Sequence, residues 1–551
     1  MAQHEIFVQF LLDSGTKYWS FRDIQLPTQF YEGRLLAIGD IGSEISVLPS
    51  EFRINGFSID LDNSDGAITE LKDAESFINR EVKVYLGTVD SAASFTQQAS
   101  FQSSNWSQVG DSFRIEFSDR TLLVFDQKIS PSLNTTTFPD LPSSDITPRN
   151  LIPQVIGEIS QSGGGVPAYR IDPASSQSKY RYVACLGTAK SIDQVFKYGV
   201  LQGSGYSTSV VTYGTTQVTV IDFDADPIDA DRSDEEPISW NGKGLTDDGT
   251  TSGTLLQNPS DIIKQVLLLN SFVAGDIDSA GTFTTVKNQF NERGIVGCFC
   301  ETDDTISLRD LSEKFSESWN ATIIITADGK IGLTAPQPMP SPSARLGLPT
   351  LKEDQIILDS FEMTGVEFLS SSIKFKYNRN FFKESFKTTE QIDSARALSD
   401  LGEAIIETVE LPYVSHTSSA SGVVHDKHFF MAEGRVVVTL GCEASFFKSL
   451  SVGNEIKLSH FRGLGSSGFS DKIFRVIGKS LAADDEALVC SLTLVDLSSD
   501  LGLSHQFRKF GNESIMVGEY GFMTGSFQSD MTSMLDTEAL YPLFKETPVI
   551  T

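Results

Sequence analysis

The stretches FFMAEGRVVVTLGCEASFFKSLSVGNEIKLSHF at 429–461 and DKIFRVIGKSLAADDEALVCSLTLVDL at 471–497 decide the fold class. Apolar and polar residues alternate in both, and β-branched residues are frequent. Gly453-Asn454 and the ADDE segment at 483–486 supply turns between the runs. A two-residue period broken by polar turns predicts antiparallel strands with one covered face. We therefore expect a small closed or sandwich-like β domain. It lacks a nucleophile beside a base and a phosphate-binding loop, which indicates a scaffold.

Length and charge limit the partners. A chain of 551 residues is long enough for several domains, each with its own core. Its 43 Lys and Arg against 73 Asp and Glu give a formal net charge of -30. Such a chain repels a phosphate backbone, which disfavours specific nucleic-acid binding. The excess acid is consistent with plain solubility or with a channel wall along which DNA slides without sticking.

The cysteines and the N-terminal residues indicate where the chain is made. Five cysteines are too few, and odd in number, for a disulfide framework, which suits a reducing compartment. Residues 1–6 lack the basic and apolar regions of a signal peptide, and no window approaches 18 apolar residues. We expect a soluble protein synthesised in a cytoplasm, with no integral membrane segment.

The first half of the chain divides into two segments. Alternating runs between residues 7 and 117 predict an N-terminal β domain at 1–130. A Pro-, Ser- and Thr-rich run at 131–150 predicts a linker, and β-rich runs continue to 239. Residues 131–239 are therefore interpreted as a linker and a second β segment.

The second half begins with helices. Helical patterns at 258–269, 283–293 and 308–319 precede a hairpin at 322–334 that turns at Asp328-Gly329. We interpret 240–350 as an α+β central module, ending at the Pro-rich run 336–349. Residues 351–500 form a predicted C-terminal β-barrel-like domain, and 501–551 an extension that docks on a partner. The predicted fold is mainly β and multidomain, with antiparallel barrel or sandwich domains around the α+β centre.

Several short runs resemble one family of viral proteins. WSFRD at 19–23, FYEGRL at 30–35, FSIDLDN at 57–63 and VKVYLG at 82–87 are similar to the opening of tail-hub proteins of long-tailed bacteriophages. The passages at 150–184, the NPSDII run at 258–263 and the IKFKYN run at 373–378 follow in the order found in such hubs. The module at 240–350 is also similar to that of contractile-tail hubs.

This resemblance implies a structural virion protein of the tail tip or baseplate hub. Three copies would form a ring that closes the distal end of the tail tube, adapts its six-fold symmetry to a three-fold tip and lines the DNA exit channel. The implied partners are the distal tail protein, the tail tube, the tape measure protein, and a central fibre or spike. DNA would pass without specific binding during ejection and host entry. No enzymatic activity and no cofactor are implied.

Two groups of residues could hold a metal, and for both the metal-free interpretation is favoured. Cys298 and Cys300 could ligate zinc or an iron–sulfur cluster only with Cys185, Cys442 or Cys490, each in an apolar strand-like run. Buried free thiols are the preferred interpretation. His425 and His428 could chelate a metal from a helix, but a surface loop is the expectation there. We predict no catalytic, cofactor-binding or metal-binding residues.

Two loops invite a ligand interpretation. The acidic run at 222–236 resembles a calcium loop, but Ile228 and Asp229 occupy positions that need an oxygen ligand and a glycine. A solvated acidic loop is therefore expected. Ser162-Gly-Gly-Gly165 lacks the spacing of a phosphate-binding loop and is expected to be flexible.

Two other classes of function stay open. A receptor- or carbohydrate-binding tail protein would use the loops at 222–256 and 463–472 and would group aromatic residues on an exposed loop. Trp19, Trp106, Trp240 and Trp319 are instead scattered along the chain. A tail-associated cell-wall hydrolase would need a pair of facing carboxylates.

Overall fold

The structure is a computed structural model. It describes residues 4–46, 52–54, 56–118, 125–134, 136–138, 150–171, 180–228, 238–270, 272–303, 305–335, 345–357, 359–366, 370–394, 402–431, 435–463, 468–484, 487–497, 507–510 and 513–516. Most of the elements there are strands, grouped in several sheets, with helices concentrated in the middle of the chain. The predicted fold class, mainly β and multidomain with an α+β centre, is confirmed. The barrel part of the prediction is wrong, since the described strands form no closed barrel, and the C-terminal strands instead join the N-terminal ones in one large sheet.

The N-terminal part contains ten strands and one helix. They are β1 (His4–Leu12), β2 (Gly15–Ser20), β3 (Ile24–Gln25), β4 (Phe30–Gly33), β5 (Leu35–Ile45), β6 (Phe52–Ile54), β7 (Phe57–Asp62), α1 (Ala67–Ala74), β8 (Glu81–Thr88), β9 (Ser91–Val109) and β10 (Ser112–Ser118).

Ten further strands follow before the central helices. They are β11 (Asn150–Ile156), β12 (Glu158–Ile159), β13 (Val166–Pro167), β14 (Tyr169–Arg170), β15 (Tyr180–Leu186), β16 (Ser191–Lys197), β17 (Val200–Gln202), β18 (Tyr206–Tyr213), β19 (Thr216–Phe223) and β20 (Ile238–Lys243). They form a five-stranded sheet ending at β17 and a four-stranded sheet ending at β18, and β11 pairs with a strand of the central module.

The central module contains three helices and three strands. In chain order they are α2 (Pro259–Leu269), a 3-10 turn (Ala274–Asp276), α3 (Thr282–Arg293), β21 (Phe299–Asp303), α4 (Leu308–Trp319), β22 (Thr322–Ile325) and β23 (Ile331–Thr334). Local capping explains where the helices begin. Asn258 accepts from the Ser260 amide, and Ser307 forms a capping box with Asp310. The apolar faces of the helices pack together in one core with β15, β19 and β20.

The C-terminal part is again mainly strands. It contains β24 (Thr350–Leu351), a 3-10 turn (Glu353–Gln355), β25 (Glu362–Val366), β26 (Ser372–Asn380), β27 (Ser385–Asp393), β28 (Ile406–Glu410), α5 (Thr417–Met431), β29 (Arg435–Gly441), α6 (Ala444–Phe447), β30 (Glu455–His460), β31 (Phe469–Asp484), β32 (Leu488–Asp496), β33 (Phe507–Phe510) and β34 (Glu513–Met516).

The two ends of the chain share one sheet. Strand β31 pairs antiparallel with β5, with Leu481 opposite Ile41, and this joins the C-terminal strands to the N-terminal ones in a 16-stranded sheet. Its main path runs β25-β29-β32-β31-β5-β7-β10-β9-β8-β1-β2-β4-β3. The alternating side chains of these strands bury a common apolar core, which contains both Ile41 and Leu481.

Most of the predicted elements are present. The four C-terminal runs are β29, β30, β31 and β32, and the predicted helices and Asp328-Gly329 hairpin correspond to α2, α3, α4 and β22–β23. The local sequence did not indicate the long strand β9 or the short helix α1. The segment boundaries at 130, 239, 350 and 500 stay a prediction, and most of 501–551 lies outside the described residues. No described helix has the length and apolar character needed to cross a membrane.

Candidate assembly surface

The large sheet has an open strand at each end of its path. Within the described residues, β25 pairs only with β29, and β3 pairs only with β4. An edge strand presents backbone N–H and C=O groups that another strand can pair with. Because one end comes from the C-terminal part and the other from the N-terminal part, each copy offers two different edges.

Exposed apolar side chains lie near the β25 end. Phe461 is 61% exposed, and Ile357 and Met363 are also exposed. Below them the Phe361 ring stacks on the His460 ring at a centroid distance of 4.1 Å. Burial lowers the pKa of His460, which favours the neutral ring in this stack. At the other end of the sheet Phe30, in β4, is exposed as well.

A cleft of about 950 Å³ separates the large sheet from α3 and the β22–β23 hairpin. Two cations on its wall are already engaged by the protein. The Lys479 ammonium donates to Gln98 Oε1 at 2.8 Å and to the Leu450 carbonyl at 2.7 Å. Burial lowers its pKa to about 8. Arg475 donates to Glu455 at 3.0 Å. These contacts hold strands of the large sheet together, since Gln98 lies on β9 and Glu455 on β30.

The five cysteines lie inside the protein. Cys185, Cys298, Cys300, Cys442 and Cys490 are all buried and free. Burial raises the pKa of each thiol above its ordinary value. Thiols held in the protonated form are poor metal ligands. Within the described part of the chain, no three His, Cys, Asp or Glu side chains are grouped to hold a metal ion.

The expectation of a surface loop at His425 and His428 is wrong. Both lie on α5, and His428 is buried. Burial lowers the pKa of His425 to about 4, and the neighbouring His428 acts in the same direction. The sequence pattern failed because α5 packs in the interior, where its polar residues have protein neighbours. Asp426, between them, is ion-paired with Arg293 of α3.

The described residues of the two candidate ligand loops make contacts within the protein. The two carboxylate oxygens of Asp222 accept from the Arg181 guanidinium at 2.7 and 3.0 Å. This bidentate ion pair neutralises the charge of Asp222. Residues 229–237 of the acidic run lie outside the described residues. The Gly163–Gly165 segment is packed rather than flexible, since the Gly164 carbonyl accepts from Asn380 and the Gly163 carbonyl from Ser239.

The tryptophans do not form a binding platform. Trp19, Trp240 and Trp319 are almost completely buried. The Trp106 ring stacks on the Phe113 ring, with 5.5 Å between the ring centroids. Of the loop at 463–472, residues 464–467 lie outside the described part. The exposed aromatic group predicted for a carbohydrate binder is therefore not made by the tryptophans.

Two partly buried ion pairs were not predicted from the sequence. Glu301 accepts from Lys314 at 3.0 Å and from the Tyr413 hydroxyl at 3.3 Å. The second is the pair between Asp426 and Arg293. Their partners are 13 to 133 residues apart, so no local pattern marks them. They tie β21 to α4, and α3 to α5, and are stabilising contacts of the interior.

Comparison with known proteins gives matches among solved structures. No family model matches, and no curated protein sequence matches. A tail protein from Neisseria meningitidis matches over 90% of this chain and 97% of its own, with 8% identity and a TM-score of 0.40. A 43 kDa tail protein of a Shewanella oneidensis prophage matches over the same shares, with 8% identity and a TM-score of 0.36.

A third match is an E. coli component of the type VI secretion system, described as similar to the bacteriophage T4 tail proteins gp27 and gp5. It covers 85% of this chain and 74% of its own, with 8% identity and a TM-score of 0.35. Two of these three structures are described as tail proteins, and the third as similar to tail proteins of bacteriophage T4.

Proposed function

We propose that this chain is a structural protein of a bacteriophage tail, the hub of the tail tip or baseplate. Three copies form a ring at the distal end of the tail tube, and no bond is made or broken. The supporting observation is the 16-stranded sheet, which combines N-terminal and C-terminal strands and, among the described residues, is open at β25 and at β3. A contact between two different edges is heterologous, and such contacts close into a ring when the rotation allows it.

The exposed apolar side chains support this arrangement. Phe461 lies near one end of the sheet and Phe30 near the other. Large exposed apolar side chains are typical of protein interfaces when they lie together with an open strand edge. Joining β25 of one copy to the β3–β4 end of the next would cover both sets.

The ring provides a role for the negative charge. A hub at the tube end surrounds the path of the genome, and a formal charge of -30 per copy keeps DNA from binding to the wall. The distal tail protein and tail tube would lie on one face, and a central fibre or spike on the other. The tape measure protein would reach the ring from the lumen of the tube.

The mass of the purified protein and its position in virions test this proposal. Multi-angle light scattering should give three times 60.3 kDa, about 181 kDa. Antibody labelling in electron micrographs should place the chain on the tail axis at its tip, and a phage lacking the gene should assemble no tails. Labelling on lateral fibres would favour a receptor-binding protein, and cleared bands in a peptidoglycan zymogram would favour a hydrolase.

A further inference from the structure

Strand β18 (Tyr206–Tyr213) is an edge strand without the usual protection. Within the described residues it pairs only with β19, and the register continues from Tyr206 opposite Phe223 to Tyr213 opposite Thr216 without a bulge. Its middle residues, 207–210, are exposed on both faces. Natural proteins normally protect such an edge with charged residues, proline or a bulge. The backbone at 208–212 has none of these.

The sequence that contains β18 is also unusual in charge for this protein. No charged residue occurs from 198 to 221, although the chain has 116 charged Lys, Arg, Asp and Glu residues in total, from 43 and 73. The two edges of the three-stranded sheet provide a comparison within the same chain. Strand β27 contains Lys387, Glu390 and Asp393, and β28 contains Glu407 and Glu410. Charge protects those edges, whereas β18 is left suitable for pairing.

Two exposed apolar residues lie shortly before this strand in the chain. Val200 is 65% exposed and Leu201 is 53% exposed, both on β17, the end strand of the neighbouring sheet. Only residues 203–205 separate β17 from β18. Val210 of β18 is exposed as well. A covering segment would therefore meet aliphatic and hydroxyl side chains together with an open backbone edge.

We propose that β18 is the docking site for an extended, uncharged segment of a different tail polypeptide, which adds a strand beside it. Pairing by backbone hydrogen bonds needs no complementary charge. The absence of charge also lets an acidic partner approach a chain of net charge -30 without repulsion at the contact.

Symmetry favours a different polypeptide as the partner. Two copies that joined β18 to β18 in antiparallel fashion would be related by a two-fold axis, which a three-fold ring does not contain. Strands β27 and β28 are protected by charge, while β25 and β3 form the ring contact of the proposed function. This step of the inference rests on that proposed function.

Hydrogen–deuterium exchange on intact purified tails tests the proposal. In the free trimer, the amides of 208–212 that face away from β19 should exchange rapidly. In tails they should exchange at least about tenfold more slowly, because added ladder bonds must open first. The amides on the outer edge of β27 should exchange equally in both samples. Unchanged exchange at 208–212 in tails that contain the chain would overturn the inference alone. Absence of the chain from tails would overturn the proposed function, and this inference with it.

A matched pair of lysine variants adds a second measurement. Val210→Lys should form trimers with unchanged thermal unfolding, yet reduce the yield of complete tails at least about tenfold, since a buried unpaired charge opposes docking. Val109→Lys, at an exposed valine near the end of β9, should assemble normally. Equal tail yields for the two variants would contradict the proposal. A photo-reactive cross-linker at residue 210 that joined two copies of this chain would contradict it as well.

Discussion

The joint between β5 and β31 can be tested by one substitution. Leu481 is 1% exposed, lies opposite Ile41 of β5, and belongs to the core shared by the two ends of the chain. Leu481→Ala removes a buried aliphatic side chain from a close-packed interior. Such changes cost about 2–5 kcal/mol, and we expect about 3 kcal/mol at this site. Val489→Ala is the matched control, since Val489 is 46% exposed on the adjoining strand β32. The control should cost less than about 1 kcal/mol.

The assay follows the two strands separately. Hydrogen exchange read by mass spectrometry reports the opening free energy of each segment. A loss of about 3 kcal/mol corresponds to about 150-fold faster exchange. Because β5 and β31 share their ladder, both should become less protected in Leu481→Ala, although some 440 residues separate them in sequence. Faster exchange in β31 with unchanged exchange in β5, or a loss below about 1 kcal/mol, would refute the joined sheet.

Three further predictions concern stability and reactivity. Burial lowers the pKa of Lys479 from 10.5 to about 8, so the unfolded chain holds that proton more tightly than the folded one. The free energy of unfolding should therefore rise between pH 8 and 10.5. In urea titrations, Lys479→Met should lack that rise. Gly164→Ala should lower the melting temperature more than the control Gly205→Ala. Both glycines have a positive φ, but only at Gly164 would an added Cβ collide with the Ser239 hydroxyl. Equal shifts in melting temperature would contradict the packing of the 163–165 segment. Iodoacetamide should alkylate none of the five cysteines until urea unfolds the protein, and intact mass would reveal any earlier reaction.

Local sequence was sufficient for elements whose signals lie within a few residues. Helix α2 begins where Asn258, Pro259 and Ser260 supply a cap and a first turn, and the Asp328-Gly329 pair turns the β22–β23 hairpin. The alternation at 57–62 predicted β7 because the buried and exposed faces of a strand follow the same two-residue period.

Strand β9 and helix α5 show where local signals fail. Residues 91–109 are rich in Ser, Gln and Ala, and they form a strand because β8 and β10 pair on either side. Helix α5 contains buried His428 and Asp426, whose partner Arg293 lies more than 100 residues away. The ion pair between Asp426 and Arg293 joins α5 to α3, and a contact over that sequence distance leaves no local sign of burial.

The sequence by itself determined the β-rich class, the acidic character, the positions of the central helices and the resemblance to tail hubs. Only the tertiary structure decided that β31 pairs with β5, that the open ends of the resulting sheet are β25 and β3, and that β18 is left exposed. The physical reason is that side-chain periodicity fixes which face of a strand is covered, whereas the neighbour of each strand depends on contacts between residues far apart in the chain.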